Sequence, residues 1–267
     1  MKLHLPGRYY RLRPISNPGL ETESLELEIA KTAIVSMHCW DIGFEGGPAL
    51  DENFAVGMSL PQNFAESERI MKAKIAPALE MARRHRMLVA HVTNLSIALK
   101  DPRPQEDMDP LTSNGETSLV PGASTSTPAV PGWAEYIHTR AHGPYLNNLP
   151  YCAMNTAQVV APQPGDLYVF QSSQFDRVLR RRGIENLIYT GFAMDMCILR
   201  AGGGAEAMLE LGYRVFLMRD ATLGIEYPDT WESQAMTLWG VRYFESHCGD
   251  SFLFEEFMSA MNALPQV

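Results

Sequence analysis

The sequence predicts a three-layer αβα domain built on a doubly wound, mainly parallel β-sheet. Five short apolar runs, rich in β-branched residues, each end at polar residues or glycine, and helical patterns separate them. The 267 residues are enough to bury a core without disulfides, and the four cysteines form no C-x-x-C pair. Strands that alternate with helices usually pair in parallel and are covered on both faces, so we expect about five or six parallel strands.

The candidate elements follow in chain order. The first strand lies in KTAIVSMHCW, and the amphipathic helix ESERIMKAKIAPALEMARRHR follows it, with apolar residues at near-helical spacing between charges. The later strands lie in MLVAHVTNL, GDLYVF, ENLIYTGF and YRVFLMRDA. Helical patterns at Phe175 to Arg182 and at Ala205 to Leu211 separate the last three of these strands.

The chain divides into an extension and one domain. Residues 1–28 precede the first strand, and we expect them to pack on the domain or to mediate assembly. Residues 29–267 form the predicted domain, with a long insertion at about 101–163 that is rich in Pro, Ser, Thr and Gly. An insertion of this length is either a functional lid or a flexible segment, and the sequence leaves both open.

Composition and charge exclude several classes of protein. The formal charge of −9 and the pI of about 5.3 oppose nucleic-acid binding. No apolar run reaches the roughly 18 to 20 residues that span a bilayer, and the N-terminus has no signal-peptide core, so we expect no membrane association and a cytoplasmic location. The basic cluster from Arg177 to Arg182 is interpreted as a solvated helix end.

Polar residues at the ends of the predicted strands are the candidates for chemistry, because ligands bind outside the carboxyl ends of parallel strands. His38, Asn94, Gln171 and the segment from Ala193 to Cys197 lie at such ends. The triple glycine at 202–204 lacks the G-x-G-x-x-G spacing of a dinucleotide site. We therefore expect no cofactor.

Five segments carry a resemblance to a known family. TAIVSMHCWDIGFEGG, KIAPALEMARRHRMLVAHVTN, PQPGDLYVFQ, RGIENLIYTGFAMDMCI and LELGYRVFLMRDA occur in this order between residues 31 and 251. In that order they resemble the isochorismatase-like cysteine hydrolases, a superfamily that includes nicotinamidases, N-carbamoylsarcosine amidase, ureidoacrylate and biuret amidohydrolases, and isochorismatase.

The resemblance implies a nucleophile and an oxyanion hole. The family cysteine corresponds to Cys197 at a helix N-terminus, where unpaired N–H groups and the helix dipole favour a thiolate. The family's cis peptide corresponds to Phe192–Ala193, which makes the Ala193 and Cys197 amides the expected oxyanion hole. The implied reaction attacks an amide carbonyl and passes through a thioester. Without the family pattern, Cys197 would be an ordinary buried thiol.

Two family positions are occupied by other residues. His38 stands where the family has its aspartate, and Gln171 stands where it has its lysine. A histidine can serve as the base, and Asp41 could orient it as the third member of a Cys–His–Asp set. Gln171 lacks the charge but can donate a hydrogen bond. We expect Cys197 and His38 within hydrogen-bond reach and a thiol pKa below that of free cysteine.

Aromatic residues and histidines complete the predicted site. Trp40, Phe44 and Trp133 could line a substrate pocket, with Asn94 and Phe192, although aromatic residues more often belong to an ordinary core. His138 and His142 have i, i+4 spacing but no H-E-x-x-H context. The metal ligands that nicotinamidases carry after the second strand are replaced here by HVTNLSIALKDP. The sequence thus predicts no metal.

Three functions remain open. The leading hypothesis is a cysteine hydrolase that cleaves the C–N bond of a small molecule through a Cys197 thioester. The second is a family member that binds a small ligand or partner without hydrolysis, which loss of the family lysine favours. The third, vinyl-ether cleavage of the isochorismatase type, is weakest because it depends on the replaced aspartate. We also expect a homo-oligomer, a dimer or tetramer, with the N-terminal segment and FLFEEFM as surfaces to bury.

Overall fold

One eight-stranded sheet forms the centre of the molecule, in a computed structural model that describes residues 1–50, 60–100, 130–142 and 153–265. The strand order is β2-β1-β8-β7-β6-β3-β4-β5. The strands are β1 (Lys2–Arg11), β2 (Gly19–Glu28), β3 (Thr32–Met37), β4 (Leu88–Val92), β5 (Leu167–Val169), β6 (Asn186–Phe192), β7 (Arg214–Leu223) and β8 (Asp250–Phe252). Strands β3 to β8 are parallel, which confirms the predicted architecture.

Helices cover both faces of the sheet. The helices of the described ranges are α1 (Pro61–Ile70), α2 (Ala76–Arg84), α3 (Leu95–Ala98), α4 (Trp133–His142), α5 (Ser172–Arg181), α6 (Cys197–Arg200), α7 (Ala205–Glu210), α8 (Ala235–His247) and α9 (Phe254–Asn262). A π-helical turn, Met71–Ile75, joins α1 to α2, so the predicted amphipathic helix is one continuous rod.

Alternation along the strands divides the core between two faces. On β3, Ile34 packs on the face covered by α1, α2 and α9, whereas Ala33 and Val35 pack on the face covered by α5, α7 and α8. Successive strand side chains point to opposite faces, so a strand buried on both sides is apolar throughout. This is why the β3 and β6 segments lack polar–apolar alternation.

The N-terminal residues extend the sheet as a hairpin. Strand β1 pairs antiparallel with β2 along its whole length and with β8 through Arg8 and Ser251. Four leucines of the hairpin, Leu3, Leu5, Leu25 and Leu27, are buried in the core that also contains Phe252 and Phe257. The expectation that FLFEEFM forms an exposed apolar surface is therefore wrong, because the hairpin and the sheet cover its aromatic side chains.

The long insertion is described only in part. Residues 101–129 and 143–152 lie outside the described residues, and the predicted alternative of lid or flexible segment falls on them. Helix α4 lies within the insertion, between those two ranges.

Strands β3 and β6 meet where the winding of the sheet changes direction. From β3 the chain continues to β4 and β5 on one side, and from β6 it continues to β7 and β8 on the other. Met37, the last residue of β3, pairs with Gly191 of β6. Such a switch point opens a crevice at the carboxyl ends of the two strands.

Gly191 allows this close approach, and alanine there is expected to destabilise the fold by at least about 2 kcal/mol. Its φ is +101°, and a Cβ would lie 2.1 Å from the Met37 carbonyl oxygen. Gly212 is the matched control, since its φ is +95° but a Cβ would meet nothing within 4 Å. Urea denaturation measures the free energy of unfolding of both variants. The difference between their losses gives the cost of the steric clash, because both share the cost of a positive φ. Equal losses for Gly191→Ala and Gly212→Ala would contradict this account.

Candidate active site

His38 follows β3 in a backbone conformation that non-glycine residues rarely adopt. Its φ is +47°, and its amide donates to the Val92 carbonyl at 2.9 Å, which anchors the turn to β4. The imidazole stacks on Trp40 with ring centroids 4.7 Å apart. Its Nδ1 atom is buried and has no hydrogen-bond partner. Left-handed backbone and an unsatisfied buried polar atom are both costly, and both are typical of functional sites.

The protonation state of His38 follows from its surroundings. Burial lowers the pKa of the His38 imidazole from 6.5 to about 4. The ring is thus neutral at pH 7, with one nitrogen able to accept a proton.

Cys197 begins α6 in a turn that closes on Ala193. The Phe192–Ala193 peptide bond is cis, as the family resemblance implies. The amides of Met196 and Ile198 both donate to the Ala193 carbonyl, at 3.2 and 3.1 Å. The Ala193 backbone also forms a hydrogen bond with the Cys197 thiol. The turn therefore gathers the thiol and the Ala193 backbone at the end of β6.

The expected lowering of the thiol pKa is wrong for this structure. Burial raises the pKa of Cys197 to about 11, the hydrogen bond from Ala193 opposes the increase, and the Asp195 carboxylate adds to it. Helix α6 has only four residues, so its dipole is small. Cys197 is a neutral thiol at pH 7, and no hydrogen bond joins it to His38 among the described contacts.

Asp195 is a buried carboxylate that sequence reasoning missed. Its Oδ1 atom accepts a hydrogen bond from the Ile225 amide at 2.9 Å, which ties the turn before α6 to the loop after β7. Burial raises the pKa of Asp195. Its position in AMDMC, two residues before the candidate nucleophile Cys197, is the sequence feature that could have indicated it.

Gln171 lies at the end of β5, next to the segment that follows α6. It is buried and forms the N-cap of α5. A Cβ on Gly202 would lie 2.3 Å from the Phe170 carbonyl oxygen, and the Gly203 amide donates to Ser172 Oγ at 2.8 Å. The triple glycine thus lets the chain after α6 approach the Gln171 backbone, which places Gln171 and Cys197 on the same edge of the sheet.

Three predicted site residues have other partners. Asp41 Oδ1 accepts a hydrogen bond from the Asn155 amide at 2.8 Å, and His38 Nδ1 has no partner, so the expected Asp41–His38 contact is absent. The Asn94 side-chain oxygen caps α3 through the Ile97 amide. Trp133 is 57% exposed on α4 and pairs with Tyr136. Asp41 and Asn94 fasten loops here, and Trp133 lines no described cavity.

A small cavity of about 20 Å³ lies at the β3–β6 switch point and contains His38. Its lining consists of His38, Trp40, Ile42, Phe44, Phe64, Ser67, Met71 and Phe192. The predicted Trp40, Phe44 and Phe192 are among these residues, whereas Phe64 and Met71 come from the helix after β3 and were interpreted only as its apolar stripe. Phe192 immediately precedes Ala193, the residue on which the Cys197 turn closes, whereas Cys197 itself packs against the core on the face covered by α5, α7 and α8.

The described part of the chain shows neither a metal-binding cluster nor a membrane-spanning helix. No cluster of three or more His, Cys, Asp or Glu side chains is placed to hold a metal ion there. The side chains of His138 and His142 lie outside what the structure describes. Within the same ranges, no helix combines the length and apolar character needed to cross a bilayer.

Comparison with known sequences finds a family and curated relatives. Residues 160–238 match the isochorismatase domain. Over 80 residues the chain is 42% identical to the ureidoacrylate amidohydrolase RutB of Azorhizobium caulinodans, covering 26% of this chain and 33% of the relative. Over 73 residues it is 41% identical to RutB of Pseudomonas syringae pv. syringae, covering 24% and 27%. The match thus spans about a third of these relatives' length or less.

Solved structures share the fold at low sequence identity. A cysteine hydrolase from Pseudomonas syringae pv. phaseolicola has a TM-score of 0.52 and 14% identity, over 89% of this chain and 95% of that one. An isochorismatase family protein from Burkholderia thailandensis has a TM-score of 0.50 and 16% identity, over 89% and 98%. At these identities the similarity establishes the fold.

Proposed function

We propose that the chain is a cysteine hydrolase acting on a C–N bond of a small molecule, because residues 160–238 match the isochorismatase domain and the chain shares the fold of a solved cysteine hydrolase. The observation that carries the proposal is the pairing of two features at one switch point. Cys197 begins a helix after β6, in a turn that closes on the Ala193 carbonyl, and His38 presents an unpartnered buried nitrogen at the neighbouring strand end.

The proposed reaction begins with a neutral thiol and a neutral imidazole. Substrate binding turns the thiol from the Ala193 backbone toward His38, which takes its proton as the sulfur attacks the carbonyl carbon. The amides of Ala193 and Cys197 hold the resulting oxyanion. The C–N bond then breaks, and the imidazolium protonates the leaving ammonia or amine. His38 then takes a proton from water as the water oxygen attacks the thioester carbonyl. The C–S bond breaks, the acid leaves, and the imidazolium returns its proton to the Cys197 sulfur, which restores the neutral pair.

The proposed role of Gln171 differs from that of the lysine found at this position in the family. Its side-chain amide has no charge, so it cannot stabilise a thiolate by electrostatic attraction, but it can donate a hydrogen bond to the substrate. We expect Gln171 to orient the substrate at the edge of the sheet that it shares with Cys197. The negative charge that develops on the carbonyl oxygen in the transition state is then stabilised by the backbone amides of Ala193 and Cys197 alone.

The cavity beside the turn favours an uncharged substrate with an apolar group. None of its described lining residues carries a charge at pH 7, because the His38 imidazole is neutral. A carboxylate buried there would lack a cationic partner, which costs several kcal/mol. The ureidoacrylate named for the RutB relatives carries such a carboxylate. We propose that this chain selects a different, neutral amide.

Benzamide and 4-carbamoylbenzoate test this selectivity, because they differ only by one carboxylate. We expect kcat/KM for benzamide to be at least about 100-fold higher. Phe44 is half-buried on the cavity wall, and Phe44→Arg is expected to lower this ratio by at least about tenfold through a charge-assisted contact with the carboxylate. Phe44→Leu, the matched control, should keep the ratio. A wild-type preference for 4-carbamoylbenzoate would overturn the selectivity.

A ligand-binding protein without hydrolysis is the second candidate. The raised pKa of Cys197 and the absence of a lysine at the Gln171 position favour it. Single-turnover mass spectrometry with benzamide and similar neutral amides decides between the two. An acyl adduct of the Cys197 thiol supports the hydrolase, whereas saturable binding without adduct or product supports the binding protein.

Assembly and location remain predictions. We propose a homo-oligomer, for which light scattering at micromolar concentration is the test, and a mass near 30 kDa would contradict it. The exposed Leu238 and Trp239 of α8 replace FLFEEFM as the surface expected to be buried. A cytoplasmic location is consistent with the unpaired described cysteines Cys39, Cys197 and Cys248.

A further inference from the structure

A second cavity lies at the amino ends of the parallel strands, on the edge of the sheet opposite Cys197. Its volume is about 370 Å³. Three arginines and a set of apolar side chains dominate its wall: Arg83, Arg86, Arg182, Leu88, Val89 and Ile184. The arginines come from three separate places, namely α2, the turn after it and the end of α5.

One of these arginines is neutralised and two are not. Arg83 Nη2 lies 2.7 Å from Asp166 Oδ2, and the Asp166 side chain is 5% exposed. His91 also contacts Asp166, at 3.2 Å, and the pKa of the carboxyl is lowered to about 2, so it is ionised. Among the described residues, Arg86 and Arg182 form no ion pair. The cavity therefore carries a net positive charge in a chain whose overall charge is −9.

Arg86 occupies a backbone position that favours glycine. Its φ is +58°, and the turn has the two hydrogen bonds of a Schellman motif, from Arg86 to the Arg83 carbonyl and from Met87 to the Ala82 carbonyl. The ends of α5 and α7 form the same pair of hydrogen bonds, and there the left-handed residues are Gly183 and Gly212. The backbone of an arginine in this conformation is strained, so we expect its guanidinium group to have a function that offsets the strain.

Stabilisation of helix ends does not account for this arginine. Basic side chains near a helix C-terminus can bond its free carbonyls. In α2, however, the amides of the Schellman turn already bond the carbonyls of Ala82 and Arg83. In α5 they bond those of Leu179 and Arg180. Arg84, which lies outside the cavity and pairs with Glu80 at 3.2 Å, already provides a cation at the end of α2.

We propose that this cavity binds a phosphoryl dianion, held by the guanidinium groups of Arg86 and Arg182 and oriented beside the fixed Arg83. The planar guanidinium group of an arginine can donate two parallel hydrogen bonds to two oxygens of one phosphate group. The apolar wall formed by Leu88, Val89 and Ile184 would receive the organic part of a phosphate monoester. The site is separate from the proposed Cys197 chemistry and does not depend on it.

Calorimetric titration of the full chain at constant ionic strength, with inorganic phosphate and with phenyl phosphate, tests the site. We expect saturable binding that Arg182→Gln and Arg86→Gly each weaken by at least about tenfold. Arg86→Gly should also raise the melting temperature by about 2 °C, because glycine suits the left-handed turn. Loss of binding in a more stable variant cannot be attributed to unfolding.

Arg84→Gln is the matched control, since it removes the same charge from the same helix end without altering the cavity. Its affinity for both probes should remain within about twofold of wild type. Tighter binding of phenyl phosphate would identify the ligand as a phosphate monoester, and equal binding would identify it as the free anion. Absence of saturable binding in the wild type, or an equal loss in Arg84→Gln, would overturn the proposal.

Discussion

Replacing Cys197 by serine is expected to lower kcat/KM for a neutral amide such as benzamide by at least about 1000-fold. The serine hydroxyl has a much higher pKa than the thiol, and a neutral imidazole is too weak a base to activate it. The substitution removes no large side chain, so the melting temperature should change little. Steady-state kinetics and thermal unfolding measure the two quantities.

Cys248 provides the control for this experiment. It is also an unpaired cysteine, and it is buried at the C-terminal end of α8. Cys248→Ser should keep wild-type kcat/KM. Alkylation with iodoacetamide gives an independent readout, because burial raises the pKa of the Cys197 thiol to about 11. Its reaction rate in the free protein should still be rising above pH 9. Retained hydrolysis in Cys197→Ser would remove the nucleophile from the proposal.

Replacing His38 by asparagine is expected to lower kcat by about 100- to 10,000-fold, the range typical of losing a general base. Asparagine tolerates the left-handed backbone at this position better than alanine, so the turn should be retained. In the wild type, activity should be lost as pH falls through about 4, since the imidazole accepts a proton only in its neutral form. The pH profile of kcat/KM measures this acid limb.

His4 serves as the matched control because its side chain is 65% exposed on β1. His4→Asn should keep both the rate and the acid limb, whereas His38→Asn should lose the limb together with the rate. If His38→Asn hydrolyses benzamide at the wild-type rate, the base lies elsewhere, and Asp195 becomes the residue to replace next.

Local sequence determined strands β3 to β7, helices α2, α5 and α7, and the end of the sheet where chemistry is expected, but it did not indicate the β1–β2 hairpin or β8. The β3 and β6 segments are mostly apolar and do not alternate with charged residues, because both of their faces are buried, and this pattern can be recognised in the sequence alone. The position of Cys197 after a strand and a glycine, and the cis bond at Phe192–Ala193, followed from family resemblance over one short segment. Such features depend on residues that are neighbours in the chain.

Contacts between distant residues were decided only by the tertiary structure. Asp41 is close to His38 in sequence but bonds the amide of Asn155, which no spacing could indicate. The Cys197 pKa is raised because packing around the turn outweighs a four-residue helix, and burial of that kind is invisible in sequence. Arg86 resembles any basic residue at a helix end until its positive φ is known. Spacing along the chain fixes which residues reach a strand end, whereas their partners and exposure depend on how separate elements pack.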